Sequence, residues 1–428
     1  MKKHTIIAGI DIGSSKVTTL LAQLVTDEVT FESSVNIIGV STTPSKGVKK
    51  GQIVDIEDTT EVVTASVEAA ERMAGYNLTD AYISLGGAHI SSQNSTGVVA
   101  ISDPSGEVRD SDVNRVIDAA KAISLPASRE IIHVIPRQFI VDGEADVRDP
   151  VGMSGVRLEV DTHLVTASTA ALKNLRKTVS EVGVVPREIV FSGVAASFST
   201  LTETEKELGC VLIDIGAGIT SVAAYVDGAL AYSSAIPVGA RNVTNDLAIG
   251  LRVSLEQAEK IKLNLTDLLK KERDINKIES LSISDEDGIE EKKLSVRTVT
   301  EGIIKPRLNE IFSIVRLDLE KAGLLNRVPS GAVVTGGGAL TAGAIECAKK
   351  TLYLPVRLGI PQGVSGLVDD ILNPEYSTAV GLILYGAKYE SPTNQQSKQN
   401  LNSISKKVKL PSGSFFDKIV DTLRNLLP

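Results

Sequence analysis

The feature that most constrains this chain is a short pattern that occurs twice, about 203 residues apart. In each copy an apolar run leads to an aspartate, then a glycine corner, then a second apolar run. The first copy covers residues 6–24 around Asp11 and Gly13, and the second covers 209–226 around Asp214 and Gly216. Such a pattern is typical of a hairpin buried on both faces. Self-similarity at this distance predicts two related halves that face each other across a cleft.

Composition excludes several classes of protein. A chain of 428 residues, 42% of them hydrophobic, exceeds the size at which one core usually stops growing, so several subdomains are expected. The net charge of -8, without a dominant Lys/Arg cluster, argues against a nucleic-acid partner. Cys210 and Cys347 lie far apart and, like the four histidines, lack metal-ligand spacing. We therefore expect free thiols in a reducing compartment. No apolar run reaches the roughly 18 residues of a membrane-spanning helix, so any membrane contact would be peripheral.

The first corner combines groups that phosphate binding needs. Gly13 lets the backbone approach a phosphate, Ser14 and Ser15 supply hydroxyls, and Lys16 can neutralise charge. Asp11 would face Mg²⁺ through water. An ordinary hairpin turn has the same composition, and it is the second copy that favours the phosphate interpretation.

The second corner adds Asp214, again facing Mg²⁺ through water, and a third glycine run follows the short apolar strand at Val333-Val334. Asp214 is also the catalytic candidate, because hydrolysis requires a group that orients the attacking water. A purely structural role beside the metal is the alternative. Glu259 and Lys262 lie three residues apart on a predicted helix and would share one face, either as a surface ion pair or as ligand contacts.

The order and spacing of these three motifs resemble the actin and heat-shock-chaperone ATPase superfamily. Within it, the runs AGIDIGSSK (8–16), DPVGMSGVR (149–157) and IPVG (236–239) are similar to the FtsA family, over about residues 6–388. The resemblance implies a duplicated α/β fold of the actin type with an FtsA-type inserted subdomain and a C-terminal amphipathic helix. One departure is Ala240-Arg241, where relatives commonly show glycine and a small polar residue or histidine.

The resemblance also implies function. The cofactors would be ATP and Mg, with at most slow ATPase activity. The partners would be the FtsZ C-terminal tail, further copies of the chain in a filament, other division proteins and an anionic membrane surface. The place would be the cytoplasmic face of the membrane at the septum, as a peripheral protein. A small-molecule kinase and an actin-like pilus-assembly protein are the alternatives. The residues expected to bind the cofactor are Asp11, Gly13, Ser14, Ser15, Lys16, Asp214, Gly216, Ala217, Gly218, Thr220, Gly239, Glu259, Lys262, Gly336, Gly337 and Gly338.

The same resemblance and the composition together predict nine segments. They are a first-half subdomain (1–83), an insert for self-association (84–162), a return to the first half (163–192), a second-half core (193–240), a small subdomain that binds the FtsZ tail (241–298), a second-half core with the adenosine motif (299–358), a C-terminal helix of the first half (359–390), a linker (391–412) and a membrane-targeting helix (413–428). Helices are predicted at 111–123, 172–182, 254–269 and 300–322, and the charge-rich stretch 270–293 is predicted to be a solvated excursion.

The C-terminal stretch has the composition of a tethered anchor. Residues 391–412 are rich in Ser, Asn, Gln and Lys, typical of a disordered linker. Apolar residues then recur at helical spacing after Lys406, Lys407 and Lys409, which favours binding to anionic lipid. Docking of the helix on protein is the alternative. The predicted membrane-facing residues are Phe415, Phe416, Ile419, Val420, Leu423, Leu426 and Leu427.

Overall fold

The computed structural model describes residues 4–26, 33–271, 280–284, 291–369 and 371–390. Met1–Tyr385 belong to one compact unit. A second unit begins at Gly386, and of this unit the structure describes only residues 386–390. The linker and the membrane-targeting helix predicted at 391–428 therefore lie outside the described residues.

The chain starts with an antiparallel meander that continues into a helix and a parallel strand. Strand β1 pairs with β2, and β2 with β3, while β6 lies parallel to β1 on its other side. These elements are β1 (His4–Ile12), β2 (Lys16–Thr26), β3 (Ser33–Pro44), β4 (Val48–Lys49), β5 (Gln52–Ile53), α1 (Ile56–Ala74) and β6 (Asp80–Leu85).

An inserted four-stranded antiparallel sheet follows. Its elements are β7 (Ser91–Ala100), α2 (Asp110–Lys121), β8 (Arg129–Val141), β9 (Glu144–Val147) and β10 (Arg157–Ser168), with strand order β7-β10-β8-β9. Helix α2 covers one face of this sheet around a small core that includes Val116, Phe139 and Leu158. The helix predicted at 111–123 is confirmed, and the Asp112 carboxylate accepts the N–H of Arg109 at its start.

The chain then returns to the first sheet and crosses to the second half. The returning elements are α3 (Thr169–Glu181), β11 (Val185–Phe191), α4 (Ser192–Thr200) and α5 (Glu203–Leu208). Strand β11 lies parallel to β6. The helix predicted at 172–182 is confirmed as α3, which begins a few residues earlier.

The second half repeats the meander and then carries more helices. Its elements are β12 (Cys210–Ile215), β13 (Thr220–Val226), β14 (Ala229–Ile236), α6 (Ala240–Leu251), α7 (Leu255–Lys271), β15 (Ser280–Ser284), β16 (Glu291–Ser295), α8 (Val296–Val299), a π-helix (Thr300–Ile304), α9 (Lys305–Lys321), a 3-10 turn (Leu325–Arg327), β17 (Ala332–Thr335), a 3-10 turn (Gly337–Leu340), α10 (Ala344–Leu352), β18 (Val356–Leu358), β19 (Ser365–Gly366), a 3-10 turn (Pro374–Tyr376) and α11 (Ser377–Glu390). Cys210 and Cys347 are buried free thiols, as predicted.

The two large sheets share one topology. The strand order is β11-β6-β1-β2-β3 in the first, where β19 extends the edge, and β18-β17-β12-β13-β14 in the second. In both, a three-stranded antiparallel meander continues into two parallel strands. The aspartates occupy equivalent positions, since Asp11 pairs across its hairpin with Thr18 and Asp214 with Ser221. The prediction of two related halves is therefore confirmed.

The insert is joined to the second half by hydrogen bonds between β7, β10 and β14. The Ser92 hydroxyl donates to the Ser233 carbonyl at 2.6 Å, and His163 Nε2 lies 3.0 Å from the Ser233 hydroxyl. Burial, helped by the nearby charges of Arg137 and His133, lowers the pKa of His163 to about 3. The ring is thus neutral and anchors the junction without a charge.

Among the described residues, no helix is both long and apolar enough to cross a bilayer.

Candidate functional site

The two glycine corners fold into turns of the same construction. The Gly13 N–H donates to the Lys16 carbonyl at 3.0 Å, and the Gly216 N–H donates to the Ile219 carbonyl at 2.9 Å. A Cβ atom on Gly13 would lie only 2.8 Å from the Lys16 carbonyl oxygen. The first turn therefore requires glycine, and its tight closure brings Ser14 and Ser15 to the end of the hairpin.

Both turns line one cavity between the halves, which has a volume of about 350 Å³ and is partly open to solvent. The predicted cofactor-binding residues that line it are Asp11, Gly13, Ser14, Ser15, Lys16, Asp214, Gly216, Ala217, Gly218, Glu259, Lys262, Gly336, Gly337 and Gly338.

Thr220 and Gly239 do not belong to this lining. The Thr220 hydroxyl is buried and donates to the Val238 carbonyl at 2.8 Å. Gly239 lies directly behind the second turn, where a Cβ atom would come within 2.6 Å of the Gly216 carbonyl oxygen. Both residues thus shape the second turn from behind and fix the start of α6 against it.

The two aspartates are buried at the ends of β1 and β12. The Ser84 hydroxyl donates to Asp11 Oδ1 at 2.6 Å, and the Thr378 hydroxyl donates to Asp214 Oδ2 at 3.0 Å. Burial raises the pKa of Asp11, although the Ser84 hydrogen bond and the charge of Lys16 oppose the rise. Burial, followed by the charge of Asp11, raises the pKa of Asp214 to about 7. A bound cation would stabilise the ionised form of both carboxylates, as in hydrated magnesium sites.

Lys16 is the cation of the first turn and extends into the cavity. Its Nζ lies 2.9 Å from Glu375 Oε2 and 3.6 Å from the centre of the Tyr376 ring. Glu375 also lines the cavity. The ammonium therefore lies between a carboxylate and an aromatic face, in a cavity that Asp11 and Asp214 also line.

The third glycine run follows β17, which lies parallel to β12 with Thr335 beside Asp214. Gly336 has a φ of 83°, and a Cβ atom there would lie 2.2 Å from Asp214 Oδ1. Its N–H donates to the Pro374 carbonyl at 3.1 Å. Only glycine permits this approach to the buried carboxylate.

Glu259 and Lys262 form an ion pair of 2.7 Å on α7, and both also line the cavity. Lys262 Nζ donates to the Thr244 hydroxyl at 3.0 Å, and this hydroxyl donates to Glu259 Oε2 at 2.5 Å. The helix predicted at 254–269 is confirmed as α7, and the Ser254 hydroxyl accepts the Gln257 N–H at its start. The pair could therefore contact a ligand while its own charges remain paired.

Sequence reasoning missed several lining residues. Ser84 carried a signal, because it is the last residue but one of a short apolar strand, and parallel strands bring such ends to one edge of a sheet. Glu375 and Thr378 carried none, since they lie about 160 residues beyond the second turn. The missed residues include Gly51, Ser84, Gly86, Ser192, Ser221, Thr266, Asp267, Thr341, Asn373, Glu375 and Thr378.

Two family models match the chain. A model described as "SHS2 domain inserted in FTSA" matches residues 87–166, and one described as "Cell division protein FtsA" matches residues 211–381. The chain is 38% identical to the cell division protein FtsA of Pseudomonas aeruginosa, over 95% of each chain. It is 34% identical to that of Escherichia coli, over 98% of this chain and 97% of the relative, and 36% identical to that of Bacillus subtilis, over 91% and 85%.

Solved structures share the fold at low sequence identity. A chain of a PilM-PilN type IV pilus biogenesis complex gives a TM-score of 0.62 at 15% identity, over 89% of this chain and 98% of that one. MreB5 of Spiroplasma citri, solved with ADP, gives 0.50 at 14% identity, over 92% and 98%. These likenesses show an actin-like fold.

Proposed function

This chain belongs to the FtsA family of cell division proteins, and from that premise we propose that it binds Mg-ATP in the cleft between its halves. The observation that carries the proposal is the convergence of two like turns on one cavity, each with a buried aspartate. The cavity volume of about 350 Å³ lies within the roughly 300–1,000 Å³ that small-molecule sites usually enclose.

Different residues of the chain would bind different parts of the nucleotide. Asp11 and Asp214 would hold the water shell of the metal, and Lys16 would neutralise phosphate charge. Ser14, Ser15 and the turn of Gly216, Ala217 and Gly218 would contact phosphate oxygens. Bound Mg²⁺ would supply charge neutralisation of the phosphates.

Gly336, Gly337 and Gly338 would lie against the nucleoside, and Glu259 and Lys262 would reach the base or ribose. Asp214 would orient a water molecule beside the terminal phosphate. Since it is the only such group we assign, hydrolysis would be slow.

The larger role proposed is that of a membrane tether for the division ring. Residues 84–162 would mediate self-association into filaments, and residues 241–298 would bind the C-terminal tail of FtsZ. Residues 413–428 would attach the assembly to the cytoplasmic face of the membrane at the septum, through the linker 391–412. Other division proteins would then be recruited. FtsA membership supports this role over a small-molecule kinase or a pilus-assembly protein.

Isothermal titration of the full chain with Mg-ATP tests the nucleotide site. We expect Asp11→Asn to weaken binding by at least about tenfold, because the isosteric amide cannot hold the metal's water shell as a carboxylate does. Asp118→Asn is the matched control, since Asp118 pairs with Lys121 at 2.9 Å on the insert, outside the cavity. Equal affinity in the wild-type chain and the Asp11 variant would refute the site.

A further inference from the structure

Lys16 already has an anionic partner inside the cavity. Its Nζ lies 2.9 Å from Glu375 Oε2, and the two side chains are 21% and 37% exposed. Both line the space assigned above to phosphate. The Glu375 carboxylate therefore occupies the position that a phosphate bound to this ammonium would take.

The ammonium is held from a second side by an aromatic ring. The Tyr376 ring centre lies 3.6 Å from Lys16 Nζ, and the Tyr376 hydroxyl accepts a 3.5 Å hydrogen bond from Thr42 on β3. A cation over an aromatic face keeps a favourable interaction that needs no counter-anion. Lys16 can thus stay in place when its carboxylate partner is replaced.

The neighbours of Glu375 on both sides are held by hydrogen bonds. The Pro374 carbonyl accepts the Gly336 N–H at 3.1 Å, and the Ser377 hydroxyl lies 2.6 Å from the Thr335 hydroxyl. Neighbours tied in this way to β17 and its glycine run leave the Glu375 side chain as the part that can move. Rotation about its side-chain bonds is enough to release Lys16.

We propose that Glu375 competes with the phosphates of the nucleotide for Lys16 and thereby sets the affinity of the cleft for phosphorylated ligands. The inference rests on the proposed function. Phosphate binding must separate the ion pair and then places phosphate charge beside a released carboxylate. Both costs grow with the charge of the ligand, whereas a nucleoside without phosphate leaves the pair intact. Glu375 therefore keeps the nucleotide exchangeable.

The test is calorimetric titration of the full chain with ATP, ADP and adenosine, in magnesium buffer. We expect Glu375→Gln to tighten ATP binding by about threefold to tenfold, ADP binding by less, and adenosine binding not at all. Raising the salt concentration should shrink the gain, because the pair is partly exposed. The control is Glu203→Gln, which removes an ion pair of 2.8 Å with Lys206 outside the cavity.

Three outcomes of these titrations would contradict the proposal, and they can be told apart. ATP affinity that is unchanged or weaker in both Glu375→Gln and Glu375→Ala would overturn the competition while leaving the nucleotide site standing. A gain that is equal for adenosine and ATP would show a general opening of the cleft and would also overturn it. Failure of the wild-type chain and both variants to bind any of the three ligands would remove the proposed function and this inference with it.

Discussion

The cleft is built around two acidic side chains whose environment opposes their ionisation. Asp11 and Asp214 each keep one hydroxyl donor, from Ser84 and Thr378, and burial raises the pKa of both carboxyls. Such groups lower the stability of the free protein at neutral pH and favour a bound cation. The residues that carry the proposed activity are thus among those that destabilise the empty fold.

Replacing Asp214 by Asn should make the empty protein more stable at alkaline pH. Its pKa is about 7 in the fold, against an ordinary 3.8, so between these values the folded chain keeps a proton that the unfolded chain has lost. Stability is therefore lost as pH rises through this window, and Asn removes the loss. We expect Asp214→Asn to gain up to about 4 kcal/mol at pH 8 and almost nothing at pH 4.

Urea unfolding in nucleotide-free buffer across this pH range measures the effect. Asp118→Asn, whose carboxyl is exposed on the insert, should follow the wild-type curve. A difference between Asp214→Asn and wild type that stays constant with pH would contradict the assigned pKa.

Secondary structure followed local sequence signals where those were strong. The helix predicted at 300–322 is present but compound, since α8 and a π-helix precede α9. Pro306 at the second position of α9 supplies no N–H, and the helix widens in the turn before it. The charge-rich composition of the stretch 270–293 predicts a solvated excursion and assigns it no secondary structure, and its described part includes strands of the antiparallel pair β15 and β16. Alternation of Ser with Leu281 and Ile283 was the signal that its charge obscured.

The fit of α6 against the second turn depends on a single glycine. A Cβ atom on Gly239 would lie 2.6 Å from the Gly216 carbonyl oxygen and 2.7 Å from that of Ala217. Because both are backbone atoms, Gly239→Ala must displace the helix or the turn. We expect a loss of about 1–3 kcal/mol in the free energy of unfolding and weaker ATP binding.

Gly302→Ala is the matched control for this change. Among the described residues, no heavy atom outside its local helix lies within 4 Å of a Cβ atom placed there. The added methyl group should therefore be neutral or stabilise by roughly 0.5–1 kcal/mol. Equal stability changes in the two variants, measured by urea unfolding, would disprove the close-packing argument.

On the scale of the whole molecule, function depends on parts that the sequence separates widely. Two meanders 203 residues apart close one cleft, and the insert meets β14 through Ser92, His163 and Ser233. The proposed membrane attachment lies in a further segment, beyond the compact unit that ends at Tyr385. ATP binding and lipid binding should therefore be separable by mutation.

Flotation with anionic vesicles tests this separation. We expect Phe415→Glu, like a chain that ends at Glu390, to leave the lipid fraction while it keeps its ATP affinity, because the charge falls within the apolar stripe of residues 415–427. Asn425→Glu adds the same charge away from that stripe and should still float. Equal lipid recovery of the full and shortened chains would refute the anchor.

The sequence by itself determined the duplicated fold and fourteen of the residues that line the cleft. Hairpins, glycine corners and buried strands depend on local apolar patterns and on the steric properties of glycine. Both can be read from a short stretch of sequence. Only the tertiary structure brought Ser84, Glu375 and Thr378 to Asp11, Lys16 and Asp214, because hydrogen bonds and ion pairs between distant segments depend on how sheets pack. The raised pKa of Asp214 likewise depends on the tertiary structure, since its burial and its proximity to the charge of Asp11 arise only when the two halves meet.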